Sequence, residues 1–220
     1  MDSSYLIQTA QAMLDGAKIT VLIFVMVITV SIPLGFIVTL LGKTPYKPVT
    51  WLINIYITVM RGTPLILQIF FVYFVVPHIP PYITFDRINA ALVAFILNYA
   101  AYFAEIFRGG LLAIDKGQSE AAKVLGLNKL QTYIHIIIPQ MVRVSLPSLS
   151  NEAITLVKDT SLVYVIGVAE ISYVAKTAVS KHVSIMPFVM AGILYLLLIL
   201  ILTIALRLIE KKFRYTSKSL

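Results

Sequence analysis

The run ITVLIFVMVITVSIPLGFIVTLL, residues Ile19 to Leu41, holds no charged side chain. A hydrocarbon layer about 30 Å thick needs roughly 20 apolar residues of helix to cross it, so this segment is long enough to span a bilayer. In lipid every backbone N–H and C=O must be satisfied within the protein, which leaves helices or closed barrels as the spanning structures. The rest of the chain has the same character: 59% of its 220 residues are hydrophobic and 13% charged, and the mean hydropathy is +0.91, outside the range of ordinary soluble domains. Three further runs qualify. They are Leu65 to Val76, short but joined to an apolar approach from Val49, then Ile88 to Phe107, and Pro187 to Leu206. A fifth, Leu146 to Val168, is long enough but carries Glu152, Lys158 and Asp159. The sequence therefore reads as an all-α integral membrane protein of about five transmembrane helices, forming one domain over residues 1–220.

Basic residues set the orientation. Lys43 and Lys47 lie in the first loop, Arg108, Lys116, Lys123, Lys129 and Arg143 in the third, and Arg207, Lys211, Lys212, Arg214 and Lys218 after the last span, twelve of the 18 in the chain. The opposite segments hold Lys18, Arg87, Lys176 and Lys181. This bias predicts the N-terminus outside and the C-terminus in the cytoplasm. The net charge of +8 is then mostly an inner-surface feature, and no nucleic-acid-binding motif accompanies it. The first residues lack the basic start of a secretory signal, so the segment is expected to stay attached. With no cysteine there is no disulfide framework and no thiolate metal site, and no internal repeat or linker is visible.

Two stretches interrupt the apolar pattern. In MRGTPL, residues 60–65, Gly62 is placed to end an incoming helix, Thr63 to cap a new one and Pro64 to occupy its first turn. A break at membrane depth is tolerated only where protein or a water-filled cavity satisfies the backbone. The second stretch, residues 118–140, has a hairpin grammar. Glu120, Ala121 and Ala122 open a short helix with Ala121, Val124 and Leu125 on its apolar face, and Gly126 stops it in a left-handed conformation. Asn128 then caps a second helix with Gln131 three residues on, and Pro139 ends or kinks it.

The order Glu120-Ala121-Ala122, Gly126, Ile138-Pro139 resembles the EAA loop of membrane subunits in bacterial ABC importers. Around it, RGTPL at 61–65, LNYAAYFAEIFR at 97–108, LPSLSN at 146–151 and LVKDTSL at 156–162 resemble the permeases for polar amino acids. That resemblance implies a type I ABC importer permease fold in the bacterial cell membrane. It also implies that the cytoplasmic segment 115–140 docks on an ATP-hydrolysing subunit through Glu120, Ala121, Ala122, Gly126 and Pro139. The implied partners are that ATPase, an extracytoplasmic substrate-binding protein and a second, identical permease chain. No GxxxxGK[ST] sequence occurs here, so the chain itself needs no cofactor, and ATP with magnesium belongs to the ATPase.

Ionisable groups at membrane depth cost about 2.5 to 3.5 kcal/mol each on insertion scales and usually face a cavity or one another. Arg61, Glu152, Lys158 and Asp159 make two charges of each sign. One reading is an internal ion-pair network fixing helix register, with Lys158 on Glu152. The other is a pocket for a zwitterion, which by the resemblance lies halfway across the membrane. There Arg61 and Thr63 would take the carboxylate and Asp159 with Asn98 the ammonium, with Glu152, Thr160, Ser161, Lys158 and Tyr102 as further candidates. Glu105 and Arg108 read as a local ion pair. Thr58 stands where members handling cationic amino acids tend to carry an acid, so the resemblance favours L-cystine, with arginine, histidine or glutamine as alternatives. An ion-coupled secondary transporter also uses broken helices and buried charges, but inverted repeats are missing. An intramembrane enzyme lacks support, because His78, His135 and His182 show no metal-ligand or catalytic spacing.

Overall fold

The computed structural model describes residues 3–213; Arg214 and Lys218 lie outside the described residues. Within them the chain is helical, with no strand. Helix α1 runs from Ser3 to Leu41, about 58 Å at 1.5 Å per residue, nearly twice the hydrocarbon thickness. It begins well before the expected Ile19. Residues Leu6 to Lys18 are mostly good helix formers, and Met13 and Ala17 are buried against Ile171, Ala175 and Ala191, so this first part is held by packing.

Helix α2, Lys47–Gly62, ends at the expected glycine, and α3, Leu65–Phe70, restarts the chain and continues through widened and tightened turns to His78. The two halves meet at 108°. Helix α4 spans Arg87–Leu112, capped by Asp86, whose Oδ1 accepts from the Asn89 N–H at 3.0 Å. That hydrogen bond holds the Asp86 carboxyl below its usual range. Helices α5, Lys116–Val124, and α6, Lys129–Thr132, form the hairpin, and α7, Ile138–Asp159, runs into a tight turn, Thr160–Ile166. Helices α8, Ile171–His182, and α9, Met186–Phe213, complete the chain. Among the described residues three helices are long and apolar enough to cross a membrane, or up to five if each bent pair counts as one span.

Pro139 does not end its helix: the helical path continues from Lys129 to Ile166. A proline removes one N–H and crowds the carbonyl four residues back. Here the turn Tyr133–Ile137 is widened, the Ile138 N–H reaching the Tyr133 carbonyl, and the ladder resumes beyond it. Residues 71–75 make the same adjustment just before Pro77. Such single π turns let a helix absorb a local mismatch without ending.

Helix α4 is the centre of the bundle. Of its most apolar window 61% is buried, against 28% for α1 and 6% for α9. Phe95, Tyr99 and Phe103 fill the core with Ile23 and Val27 from α1, Ile69 beyond the break, and Met141 and Leu156 from α7. Small residues bring α1 and α4 together, as in membrane bundles generally. Ser31 donates to the Ile96 carbonyl at 3.3 Å and Thr39 to the Ala104 carbonyl at 3.0 Å. Between them a Cβ on Gly35 would fall 2.7 Å from the Phe103 Cβ and 2.9 Å from the Ala100 carbonyl oxygen.

These pairings also fix direction. Residues 31, 35 and 39 meet α4 in ascending order, so α1 and α4 are parallel, whereas Gly110 meets Ser145 and Tyr99 meets Asp159, so α4 and α7 are antiparallel. Arg143 and Arg207 share a cavity near the start of α7 and the end of α9. The loop after α1, the hairpin and the end of α9 therefore lie at one end of the bundle, the set of segments with most of the basic residues. Gly35→Val is expected to destabilise the chain by about 1–3 kcal/mol through overpacking. Gly109→Val, where nothing lies within 4 Å, should leave the thermal midpoint in detergent unchanged, and equal midpoints for the two variants would refute the close α1–α4 contact.

Candidate functional site

The break between α2 and α3 is closed by side chains. The last carbonyls of a helix have no partner within it, and two of those at the end of α2 receive donors from elsewhere. The Val59 carbonyl accepts from the Thr63 hydroxyl at 2.8 Å. The Met60 carbonyl accepts from Asn98 Nδ2 at 2.8 Å and from Gln68 Nε2 at 3.0 Å. Asn98 also donates to Gln68 Oε1 at 3.0 Å, and Gln68 donates to Thr63 Oγ1 at 2.8 Å. Tyr56 adds a bond from its hydroxyl to the Leu97 carbonyl.

This arrangement corrects the expected N-cap. Thr63 does not cap α3; Pro64 holds that position without a side-chain bond, because the Thr63 hydroxyl turns back to Val59. Asn98 is buried at 4% exposure, and its amide nitrogen serves the break. Gln68, absent from the sequence candidates, is the centre of the clasp. Its signal was available: it is the one amide in the apolar run LILQIFFVYF, where an uncharged polar group at membrane depth needs a partner.

The charges form a strip across α2, α4 and α7. Arg61 Nη1 lies 3.4 Å from Glu105 Oε2, and its guanidinium sits 5.2 Å from the centre of the Tyr102 ring. Glu105 is held at the same time by Arg108, through contacts of 2.8 and 2.6 Å. The local pair thus exists but is shared, and Arg61 is not a lone cation awaiting an anion. Tyr102 is 6.2 Å from Tyr99, ring centre to ring centre, and the Tyr99 hydroxyl donates to Asp159 Oδ2 at 2.8 Å. Tyr99, buried to 1% exposure, is a second residue missing from the sequence candidates.

Glu152 and Asp159, seven residues apart on α7, fall within about 20° of each other around the helix. Glu152 lies within electrostatic reach of Asp159 and Arg61. The expected Lys158–Glu152 pair is not formed: among the described residues neither has an ion-pair partner within 4 Å. On one unbroken helix a separation of six residues leaves the two about 120° apart, and the bend they would need is not there. Thr160 is fully buried, with its hydroxyl on the Val157 carbonyl at 2.7 Å. Ser161 is half-buried and Thr58 is exposed on α2.

The hairpin is a separate construction. Its first helix starts at Lys116, earlier than Glu120, because Asp115 caps it by accepting from the Gly117 N–H at 2.6 Å. Gly126 has φ +77°, and the bonds Leu127 N–H to Ala122 C=O and Gly126 N–H to Lys123 C=O make a Schellman end. Asn128 and Gln131 exchange 2.9 Å bonds in a capping box. Ala122 packs inward, while Glu120, Ala121 and Pro139 are exposed and Val124 and Leu125 are 88% and 78% exposed. Gln140 donates to Gln118 at 3.0 Å, tying the hairpin to α7.

Asn98→Leu is expected to destabilise the chain by about 1–3 kcal/mol, since buried acceptors then lose their donor. Thr58→Leu, on an exposed position of α2, should be near neutral. Thermal unfolding in detergent reads both, and equal midpoints would remove Asn98 from the clasp.

Comparisons with known proteins converge on one family. Residues 31–215 match the model of the binding-protein-dependent transport system inner membrane component. The arginine transport system permease protein of Bacillus subtilis is 36% identical, over 97% of this chain and 98% of that protein. The L-cystine transport system permease protein of the same organism is 34% identical over 84% and 80%. The glutamine transport system permease protein of Escherichia coli is 34% identical over 92% and 93%. Among solved structures, an amino acid ABC transporter crystallised with histidines superimposes with a TM-score of 0.88 at 29% identity, over 96% of this chain and 99% of that one. The MetNI methionine ABC transporter, at 15% identity and a TM-score of 0.75, shares the fold. With the helix order, the broken second span and the protruding hairpin of a type I ABC importer permease, this chain belongs to the family of binding-protein-dependent transport system inner membrane components.

Proposed function

We propose that the chain is the permease subunit of an ABC importer that moves a polar amino acid across the bacterial cell membrane, with L-cystine as the first candidate. The observation that carries this reading is the strip Arg61–Tyr102–Tyr99–Asp159. It sets a guanidinium on α2 against Asp159 and Glu152 on α7, two carboxylates without an ion-pair partner within 4 Å among the described residues. A zwitterion needs a donor side and an acceptor side, and the strip offers both. Arg61 serves the substrate carboxylate by exchanging part of its contact with Glu105, and Thr63 stands beside it. Asp159 and Glu152 serve ammonium groups, while Asn98, Tyr102, Thr160 and Ser161 shape the walls and Lys158 lies at the rim. The Arg61 side chain in the strip keeps 42% exposure, which suits a site closed by a second, identical chain.

In this reading the chain does no covalent chemistry. A separate ATPase binds ATP and magnesium and docks on the hairpin through Glu120, Ala121, Ala122, Gly126 and Pro139, where Val124 and Leu125 need a partner's cover. The hairpin end is cytoplasmic, in keeping with its basic residues, and a binding protein delivers substrate to the opposite end. A second substrate, arginine, is favoured by the two carboxylates, which match its two cationic groups as well as they match the two ammonium groups of cystine. Relatives named for arginine, cystine and glutamine transport stand at similar identity.

ATP-driven uptake of labelled L-cystine by the reconstituted complex, with unlabelled arginine, glutamine and histidine as competitors, tests the substrate. Uptake blocked only by cystine-like compounds is expected; uptake of arginine with none of cystine would overturn that choice but keep the importer. Ion-driven uptake without the ATPase would overturn the importer itself. Asp159→Asn should lower uptake more than tenfold, and unchanged uptake would remove Asp159 from the substrate path. Gly126→Val forces a branched side chain into a left-handed conformation, at about 1–2 kcal/mol. ATP hydrolysis should then proceed with little uptake, and normal coupling would count against the docking role.

A further inference from the structure

At the hairpin end of the bundle, the start of α7 and the last turns of α9 enclose a cavity of about 550 Å³. Among the described residues, three basic side chains line it, Arg143 from α7 and Arg207 and Lys211 from α9, with Glu210 as the single acid. Its remaining walls are Leu146, Pro147 and Phe213. None of these residues belongs to the charged strip or to the hairpin contacts described above. A concave surface on which bases outnumber acids among the described residues, with an apolar wall, fits a ligand that is anionic at one end and hydrocarbon at the other. The apolar wall continues along α9, where Leu200, Ile204 and Leu208 are 53%, 53% and 65% exposed and unclaimed by the rest of this chain.

We infer that this cavity binds the phosphate of an anionic phospholipid, with the guanidiniums and the ammonium around the headgroup and an acyl chain laid along the exposed face of α9. Basic pockets between membrane helices attract anionic headgroups, each base contributing a small additive share of the attraction. Guanidinium also matches phosphate geometry by paired hydrogen bonds. A free phosphate ion would use the same bases but not Leu146, Phe213 or the apolar face of α9, and this continuity of charged and apolar surface favours lipid. The cavity adjoins a second one of about 560 Å³ that shares Arg143 and reaches Gln118 and His135 of the hairpin region. A bound lipid would therefore sit one side chain away from the segment that meets the ATPase.

Native mass spectrometry of the full chain in detergent, with added phosphatidylglycerol, phosphatidylcholine or inorganic phosphate, tests the inference. The expected result is one phosphatidylglycerol retained per cavity, at concentrations where phosphatidylcholine is lost and which tens of millimolar phosphate does not displace. Joint replacement by Arg207→Gln and Lys211→Gln should weaken retention more than tenfold, about fivefold for each base. Lys212→Gln, outside the lining, should change it less than twofold. Equal retention by the double variant, equal retention of phosphatidylcholine, or full displacement by inorganic phosphate would each overturn the lipid site. Should the double variant not fold, Phe213→Trp combined with Trp51→Phe, which removes the chain's own exposed tryptophan, reports on the cavity by fluorescence. Stronger quenching by bromine-labelled phosphatidylglycerol than by bromine-labelled phosphatidylcholine supports the site, and equal quenching overturns it.

Discussion

Everything in this fold depends on the rule that main-chain polar groups in hydrocarbon must find partners within the protein. Long helices satisfy it automatically, and α1, α4 and α9 need no further device. The break at Gly62 to Pro64 does not satisfy it, and the carbonyls of Val59 and Met60 would be left without donors. Thr63, Gln68 and Asn98 supply them. One of the three comes from α4, so the break is held in place by the most buried helix of the bundle. The consequence follows directly: a chain that turns by 108° between α2 and α3 does so where α4 can meet it, and Arg61 arrives beside Tyr102 and Glu105 for that reason.

Helix α4 serves three faces at once. Toward α1 it offers the small residues Ala100 and Ala104 and backbone carbonyls to Ser31, Gly35 and Thr39. Toward α7 it offers Gly110 to Ser145, where a Cβ would fall 2.1 Å from the Ser145 oxygen, and Tyr99 to Asp159. Toward α2 it offers Asn98, Tyr102 and Glu105. The spacing 98, 102, 105 is that of one helix face, and the aromatic residues Phe95, Tyr99 and Phe103 fill the next. Packing and polar chemistry are thus divided by angle around one rod. No residue is asked to do both, except Tyr99, whose ring is core and whose hydroxyl reaches Asp159.

The sequence made the local features legible and left the distant pairings hidden. Gly126 in a left-handed conformation and the Asn128–Gln131 box depend on residues a few positions apart, and the pattern showed them. The placement of the spans depends on hydrophobic length, and it was readable except for the early start of α1, where packing against α8 extends the helix. Gln68 with Asn98 and Tyr99 with Asp159 join residues 30 and 60 positions apart, and nothing local pairs them. The Lys158–Glu152 pairing failed because the helix between them is unbroken, and the helix does not stop at Pro139 because a widened turn, with the Ile138 N–H on the Tyr133 carbonyl, accommodates the proline.

Glu105 divides its carboxylate between Arg61 at the break and Arg108, two residues short of Gly110 and close to the hairpin. The two guanidiniums therefore compete for one pair of oxygens. Any tilt of α2 that lengthens one contact leaves the other to take the whole charge, so a change at the α2–α3 break alters how tightly the end of α4 is held. A single acid in that position acts as a balance with one arm toward the break and one toward the hairpin.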